Sequence, residues 1–548
     1  MKGSVLFLLL FCSFTGFSQS KTDSIELIRQ FARFLDLDFT QSETDSMLSS
    51  LKFRKTALQR LHQLPLPNSL PYPFAFRPAT TSKPSEPQTS PSWNIPANIA
   101  MPARIDDLAF YSVTDLASLI RSKKISSETL TRFFLDRLKK YNDTLHCVIS
   151  FTEDIALEEA RQADKEIAAG KYRGPLHGIP YGLKDLFAVK GTATTWGTAA
   201  YKDQQLEETA YVYHKLKAAG AVLCAKLSLG ALAFNDLWFG GRTNNPWNLL
   251  QGSSGSSAGS AAATAAGLLP FAIGTETWGS IISPSARCGT TGLRPTFGSV
   301  SRSGAMVLSW SLDKIGPITR SAEDAAIVFD AIRGTDSLDH AAVNQPFNYK
   351  GPAAAKTLRV AYAENYVRSL PASSPVHEFL KTLKEAGIDA RPVQFPDSAV
   401  YPANLMSIII NAESAAAFDE LTRSNRDELI ERQDRDFWPN SFRSARLIPA
   451  VDYINANRHR YTMMEKFNAF MQNYDVVIVP TFSSNQTAIT NLSGHPALCL
   501  PIGFTQQGSP TSITLLGNLY DEESILSLAS AYQQLTSHHK KHPPFFLP

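Results

Sequence analysis

The residues best placed to do chemistry in this 548-residue chain sit in three short segments, the first being GIPYGLKDLFAVKG, Gly178 to Gly191. Its Lys184 lies among apolar residues, whereas most lysines keep the ammonium in water and bury only the stem. Burial lowers a lysine pKa by up to about 3 to 5 units, which makes a neutral amine available as a base near neutral pH. At 1.36 kcal/mol per unit, that placement costs roughly 4 to 7 kcal/mol of folding free energy. Structure alone seldom justifies such a cost.

The second segment is QGSSGSSAG, Gln251 to Gly259. Alone it reads as a flexible linker, but it runs without a break into the small-residue helical stretch Ser260 to Gly267 and the apolar run Leu268 to Ile273. It is therefore expected to be a tight loop that holds a hydroxyl against a closely approaching backbone. The third segment, GTETWGS, Gly274 to Ser280, follows that apolar run. Sites in α/β folds lie at the carboxyl ends of strands. A sharp turn with glycines here can expose Ser280 Oγ, and the successive backbone N–H groups before the serine can converge on a developing oxyanion.

In this order and at these separations the three segments resemble the amidase signature family. Ser280 matches the nucleophile of that family's G-T-[DE]-x-x-G-S-I segment, and Ser256 stands where the family carries a serine on a cis peptide bond. Ser257 matches the second serine of that pair, and Lys184 matches the lysine of G-[IV]-P-x-x-[VL]-K-D. The resemblance continues through GLRP (Gly292 to Pro295), SLDKIGPITR (Ser311 to Arg320) and NLSGHPALCLPIG (Asn491 to Gly503), and covers roughly Ala103 to His542.

The resemblance implies an α/β/α sandwich around a large mixed central sheet and a Ser–cis-Ser–Lys amidase. Neutral Lys184 would take a proton from Ser256, Ser256 one from Ser280, and Ser280 Oγ would attack an amide carbonyl. Backbone N–H groups of Thr277, Trp278, Gly279 and Ser280 would hold the oxyanion, and water would hydrolyse the acyl-enzyme. No metal or organic cofactor is implied. Within the family the chain is most similar to peptide amidases, which implies a small amide or peptide-amide substrate, with Ser257 and Trp278 as substrate-binding residues. Two departures stand out. Trp278 occupies a position where most members carry Gly or Ala, and is expected either to pack beneath the loop or to wall the acyl pocket. Ile282 replaces a common Arg. Two other functions fit the same fold: the amidase-type subunit of a tRNA-dependent amidotransferase, and an inactive binding protein.

Around these segments helical and strand patterns alternate. Ser112 and Asp115 can cap a helix through Ile120, and Leu130, Phe133, Phe134 and Leu138 form the stripe of another. Cys147 to Phe151, Ala221 to Cys224, Leu268 to Ile273 and Val476 to Val479 read as strands buried on both faces. The pattern predicts an α/β layered fold on a mostly parallel or mixed sheet. The loops Ala231 to Trp247 and Asn404 to Arg446 are expected to shape specificity.

At the N-terminus, Lys2, the apolar run Val5 to Phe11 and small residues at Ser18 and Ser20 predict a signal peptide over 1–20, and hence a periplasmic or extracellular protein. Residues 21–64 predict two amphipathic helices, with Ile25, Ile28, Phe31 and Leu35 on one face, Met47, Leu48, Leu51, Leu58 and Leu61 on another, and a capping box at Thr40 to Glu43. Residues 65–102 are proline-rich and read as a linker, leaving 103–548 as the catalytic domain. A formal net charge of +3 gives no global field toward nucleic acid or an anionic membrane, and no segment beyond the first twenty residues is apolar enough to span a bilayer. Cys12, Cys147, Cys224, Cys288 and Cys499 are scattered, without a CxxC pair, and read as core thiols. His177 and His495 lie in neither a nucleophile elbow nor a metal-ligand spacing. The tail from His538 is expected to be solvated.

Overall fold

The computed structural model describes residues 21–547 apart from 62, 65–66, 70–73, 79–86, 397–401 and 483–484. The signal-peptide reading and Cys12 lie outside the described residues. The chain divides into two compact units, one ending at Pro67 and one running Asn68–Pro548.

In the first unit, α1 (Lys21–Phe34) and α2 (Gln41–Leu61) form a hairpin. Thr40 and Glu43 make the expected capping box: Thr40 N–H donates to the Glu43 carboxylate at 2.8 Å, and Glu43 N–H donates back to Thr40 Oγ1 at 3.3 Å. Ile25 and Leu48 are buried, but Phe31, expected on the same face as Ile25, is exposed while Ala32 is buried. Two helices of this length enclose little volume.

The second unit is built on an eleven-stranded sheet. Its strands in chain order are β1 (Val148–Phe151), β2 (Pro180–Lys184), β3 (Val222–Leu227), β4 (Phe271–Glu276), β5 (Thr291–Arg294), β6 (Lys314–Thr319), β7 (Val360–Ala363), β8 (Ala390–Val393), β9 (Val476–Pro480), β10 (Ala497–Phe504) and β11 (Pro510–Gly517). Across the sheet they run β1-β3-β2-β4-β6-β5-β10-β11-β9-β7-β8. Pairing is parallel for β2 with β3 and β4 and for β7 with β8 and β9, and antiparallel elsewhere, so the sheet is mixed. Helices flank it, among them α3 (Val113–Arg121), with the Ser112–Asp115 capping box, and α4 (Ser127–Leu145), which buries Leu130, Phe133, Phe134 and Leu138.

Three sequence expectations are corrected. The strand expected at Leu268 to Ile273 begins at Phe271 and continues to Glu276. Gly274, Thr275 and Glu276 read as turn residues, yet they pair with Gly316, Ile315 and Lys314 of β6, and a strand ladder overrides polar composition. The strand expected at Ala221 to Cys224 likewise runs on to Leu227. The C-terminal tail is docked: His542 stacks on Phe110 with ring centroids 3.9 Å apart, Phe546 is fully buried, and Arg137 Nη2 donates to its carbonyl at 3.0 Å. Its aromatic residues supply apolar area that the lysines and histidines before them mask in sequence.

Parts of the proline-rich stretch also belong to this unit. Asn68 exchanges hydrogen bonds with the backbone of Val307 at 2.7 and 2.9 Å, Thr89 donates to Asn348 Oδ1, and Trp93 stacks on Tyr349. Cys147, Cys224, Cys288 and Cys499 are buried free thiols.

Candidate functional site

Parallel pairing of β2 with β4 aligns Tyr181 with Phe271 and Leu183 with Ile273, so the carboxyl ends of both strands emerge side by side. Lys184 is the last residue of β2, and Ser280 lies four residues past the end of β4. Between them in sequence, the Gly/Ser loop leads into α5 (Ala258–Ala265), with Ser257 at its N-cap. The loop is rigidly confined. A Cβ on Gly255 would lie 1.8 Å from the Asn235 carbonyl oxygen, so only glycine fits there. The Gly255–Ser256 peptide bond is cis, as the resemblance implied.

Lys184 is fully buried. Its Nζ lies 2.8 Å from Ser256 Oγ, 3.1 Å from Ser257 Oγ and 2.9 Å from Thr275 Oγ1. Burial pulls the ammonium down to about 7, against the opposing pull of the Asp313 and Glu276 carboxylates. A neutral amine is thus accessible near pH 7, in hydrogen-bonding contact with the hydroxyl expected to relay the proton.

The second and third segments are tied together by Ser257 N–H, which donates to the Ser280 carbonyl at 3.2 Å. Ser280 is nine-tenths buried and lines a cavity of about 350 Å³ together with Ser254, Gly255, Thr277 and Trp278. Among the described residues its hydroxyl makes no hydrogen bond to Ser256, so of the two contacts the expected relay needs, the one between Lys184 and Ser256 is formed and the one between Ser256 and Ser280 is open. Such contacts are commonly long in substrate-free sites and tighten on binding. The backbone N–H groups of Thr277, Trp278, Gly279 and Ser280 likewise have no protein acceptor among the described residues. Gly279 adopts φ +91°, the left-handed turn that glycine permits.

The loop is pinned by Glu276. Its carboxylate accepts from the N–H groups of Ile281 and Ile282 at 2.9 and 3.0 Å, from Arg294 Nη1 at 2.7 Å and from Asn491 Nδ2 at 2.9 Å. Burial works against this carboxylate, yet the adjacent Arg294 and the donors around it bring its pKa to about 2. Glu276, Arg294 and Asn491 were missed as positioning residues, although all three stand inside the motifs that carried the resemblance. Their role depends on a three-way convergence that no linear spacing reveals.

Two expectations for the site resolve differently. Trp278 is 43% exposed and belongs to the cavity wall, not the core beneath it. Ser257 is fully buried, and its hydroxyl accepts from Thr275 N–H and donates to the Thr275 carbonyl, each at 3.1 Å. With Lys184 also on it, that hydroxyl is committed to positioning and has no face toward the cavity, which corrects its reading as a substrate contact. Both segments expected to shape specificity reach the cavity, through Phe234 and Asn235 on one side and Ile410, Asn411 and Trp438 on the other, but Asn404 to Arg446 is largely helical and not the expected loop. His177 packs beside Glu166, and the His495 carbonyl accepts from Arg294 Nη2 at 2.9 Å.

The model of the Amidase family matches residues 129–526. Curated relatives include a component of the glutamyl-tRNA(Gln) amidotransferase of Coxiella burnetii, 32% identical over 480 residues, spanning 79% of this chain and 99% of the relative. The component of the same name from Acinetobacter baumannii is 33% identical over 484 residues, spanning 79% and 98%. Among solved structures, the native peptide amidase of Stenotrophomonas maltophilia is similar with a TM-score of 0.73 at 29% identity, over 80% of this chain and 99% of that one. A bacterial aryl acylamidase, at 21% identity and a TM-score of 0.68 over 79% and 98%, shares the fold.

Proposed function

The chain belongs to the amidase family, hydrolases of carbon–nitrogen bonds in linear amides, and from that premise we propose that it cleaves small or peptide carboxamides with Ser280 as nucleophile, Ser256 as proton relay and Lys184 as base. The observation that carries this reading is the solvent-free Lys184 amine, 2.8 Å from Ser256 Oγ, on a loop hydrogen-bonded to Ser280. Lys184 accepts the Ser256 proton as Ser256 accepts that of Ser280, and Ser280 Oγ forms a bond to the amide carbon. The tetrahedral oxyanion faces the N–H groups of Thr277, Trp278, Gly279 and Ser280, where one donor is commonly worth about 2.7 to 4 kcal/mol. Collapse breaks the C–N bond, the relay returns its proton to the leaving amine, and water attacks the acyl-enzyme along the same path. A serine does the work that histidine does in the better-known triad.

Peptide amides with a free terminal carboxamide are the substrates we favour, because the likeness to peptide amidase spans nearly that whole protein. A fluorophosphonate probe should label the protein and fail to label Ser280→Ala, and the protein from Lys21 onward should release ammonia from C-terminally amidated peptides. Equal labelling of both proteins would sink the assignment of Ser280. The likeness to the glutamyl-tRNA(Gln) amidotransferase component favours a second reading, an amidase-type subunit of a tRNA-dependent amidotransferase. Ammonia release that appears only once partner subunits are added selects that reading, and peptide-amide hydrolysis by the isolated chain selects the first. Export is proposed from residues 1–20 alone. Recovery of a chain starting at Lys21 outside the cytoplasm supports it, and a cytoplasmic chain retaining Met1 counts against it.

A further inference from the structure

The antiparallel register of β4 and β6 pairs Lys314 with Glu276 and Ile315 with Thr275, so one step further along the ladder Asp313 falls opposite Thr277. Directly opposed residues of an antiparallel pair present their side chains to one face, and here they meet. Thr277 Oγ1 donates to Asp313 Oδ1 at 2.6 Å, a short charge-assisted bond. The other carboxylate oxygen accepts from the N–H groups of Leu308 and Ser309 at 2.8 and 3.0 Å, which fastens Asp313 to the turn before β6. Asp313 lines a cavity of about 240 Å³ with Thr275 and Thr277. No cation forms an ion pair with it among the described residues. Arg302, on the same wall, is committed to Asp339 at 2.8 and 2.9 Å.

Asp313 is half-buried, and a carboxylate so placed without a cation is costly to keep unless its hydrogen bonds are well made. This one spends one oxygen on Thr277, the first residue of the loop that ends in Ser280. We propose that Asp313 is a positioning residue of the amidase reaction: by holding the Thr277 hydroxyl it fixes the arc of backbone N–H groups that faces the oxyanion, and its unpaired charge acts on Lys184. The inference rests on the roles proposed for Ser280 and Lys184. The charged groups acting on Lys184 are Glu276, on β4, and Asp313, before β6. Glu276 is neutralised by Arg294 at 2.7 Å, which leaves Asp313 as the carboxylate of the two without an ion pair. Ser256, Ser257 and Thr275 present uncharged groups, their three hydroxyls and the Thr275 carbonyl.

Two substitutions separate this role from a merely structural one. Thr277→Val removes the hydroxyl but keeps its bulk, and should lower kcat about tenfold or more with KM within about twofold, as expected for a contact made in the transition state. Thr277→Ser should restore kcat. Asp313→Asn can still satisfy all three partners but carries no charge. A negative neighbour favours the ammonium, so its removal should let the neutral amine persist to lower pH, and the acid limb of the pH–rate profile should move to lower pH. A Thr277→Val enzyme with kcat within about twofold of the parent, a failed serine rescue, or an acid limb unmoved in Asp313→Asn each overturns the proposal. Fluorophosphonate labelling of the parent that persists in Ser280→Ala would instead overturn the underlying site assignment. Thermal melts of each variant confirm that folded protein is being assayed.

Discussion

Two buried lysines stand on neighbouring strands of the sheet, and their surroundings differ in kind. Lys226, on β3, has its Nζ 2.8 Å from Asp185 Oδ1 and also donates to the Ala193 carbonyl and Thr194 Oγ1, each at 3.1 Å. Lys184, on β2, meets the hydroxyls of Ser256, Ser257 and Thr275 and has no carboxylate within ion-pair distance among the described residues. Asp185 follows Lys184 directly in sequence yet serves the other lysine. The parallel register explains this: Leu183 pairs with Lys226, so 183, 185 and 226 share a face, and alternation turns Lys184 to the opposite one. One lysine is thereby balanced as a structural ion pair. The other is left with neutral partners, which cannot offset the loss of hydration of an ammonium and so favour the free amine.

Removing each amine should therefore have opposite consequences. Lys184→Met should cut turnover by roughly 10² to 10⁴, the usual contribution of a positioned base, while retaining the fold. Turnover in this variant within about tenfold of the parent would remove Lys184 from the mechanism. Lys226→Met strands Asp185 in the interior and should cost about 3 to 5 kcal/mol of stability, read as a lower denaturation midpoint. A Lys226→Met protein as stable as the parent would mean that the ion pair carries no such weight.

Stability should also separate the two with pH. Burial pulls Lys184 down to about 7 in the folded protein, from the ordinary lysine value of 10.5 expected in the unfolded chain. Between those values the unfolded chain binds more protons, so stability rises with pH across that window; below about 7 both states are protonated and the full penalty is present. That penalty amounts to about 5 kcal/mol at 1.36 kcal/mol per unit. Lys184→Met should thus be more stable than the parent at pH 6, with the advantage shrinking toward pH 10. Turnover follows the same group, since only the free amine is a base: kcat/KM should fall below an acid limb near 7. A parent and variant whose melts run parallel from pH 6 to 10 would contradict the lowered Lys184 value.

Much of this contrast was legible before the fold. Lys184 stands in an apolar segment that a solvated lysine does not explain, Ser256 and Ser280 were assigned through the family resemblance of the three segments together, and the layered α/β architecture follows from short apolar strands alternating with amphipathic stripes. Lys226 offered no such signal, because it lies beyond the strand expected at Ala221 to Cys224, and only the register with β2 reveals its partner. The Glu276–Arg294–Asn491 convergence was hidden for the same reason: it joins residues from three motifs that the sheet order, not the spacing, brings together. The polar end of β4 and the docked C-terminus were misread because tertiary pairing outweighed local composition.

The finest test of the comparison probes a single hydroxyl. Thr275 Oγ1 lies 2.9 Å from Lys184 Nζ and can accept from the ammonium or donate to the free amine. Acceptance by a hydroxyl is stronger when the donor is charged, so Thr275→Val should disfavour the ammonium and move the acid limb down, by less than about one unit because the neutral pairing is lost as well. Thr194 stands in the equivalent relation to Lys226, at 3.1 Å, and Thr194→Val should leave the limb where it is, since that amine has no part in proton transfer. Equal displacement in the two variants would show that the limb reports general loosening of the sheet and not the surroundings of Lys184.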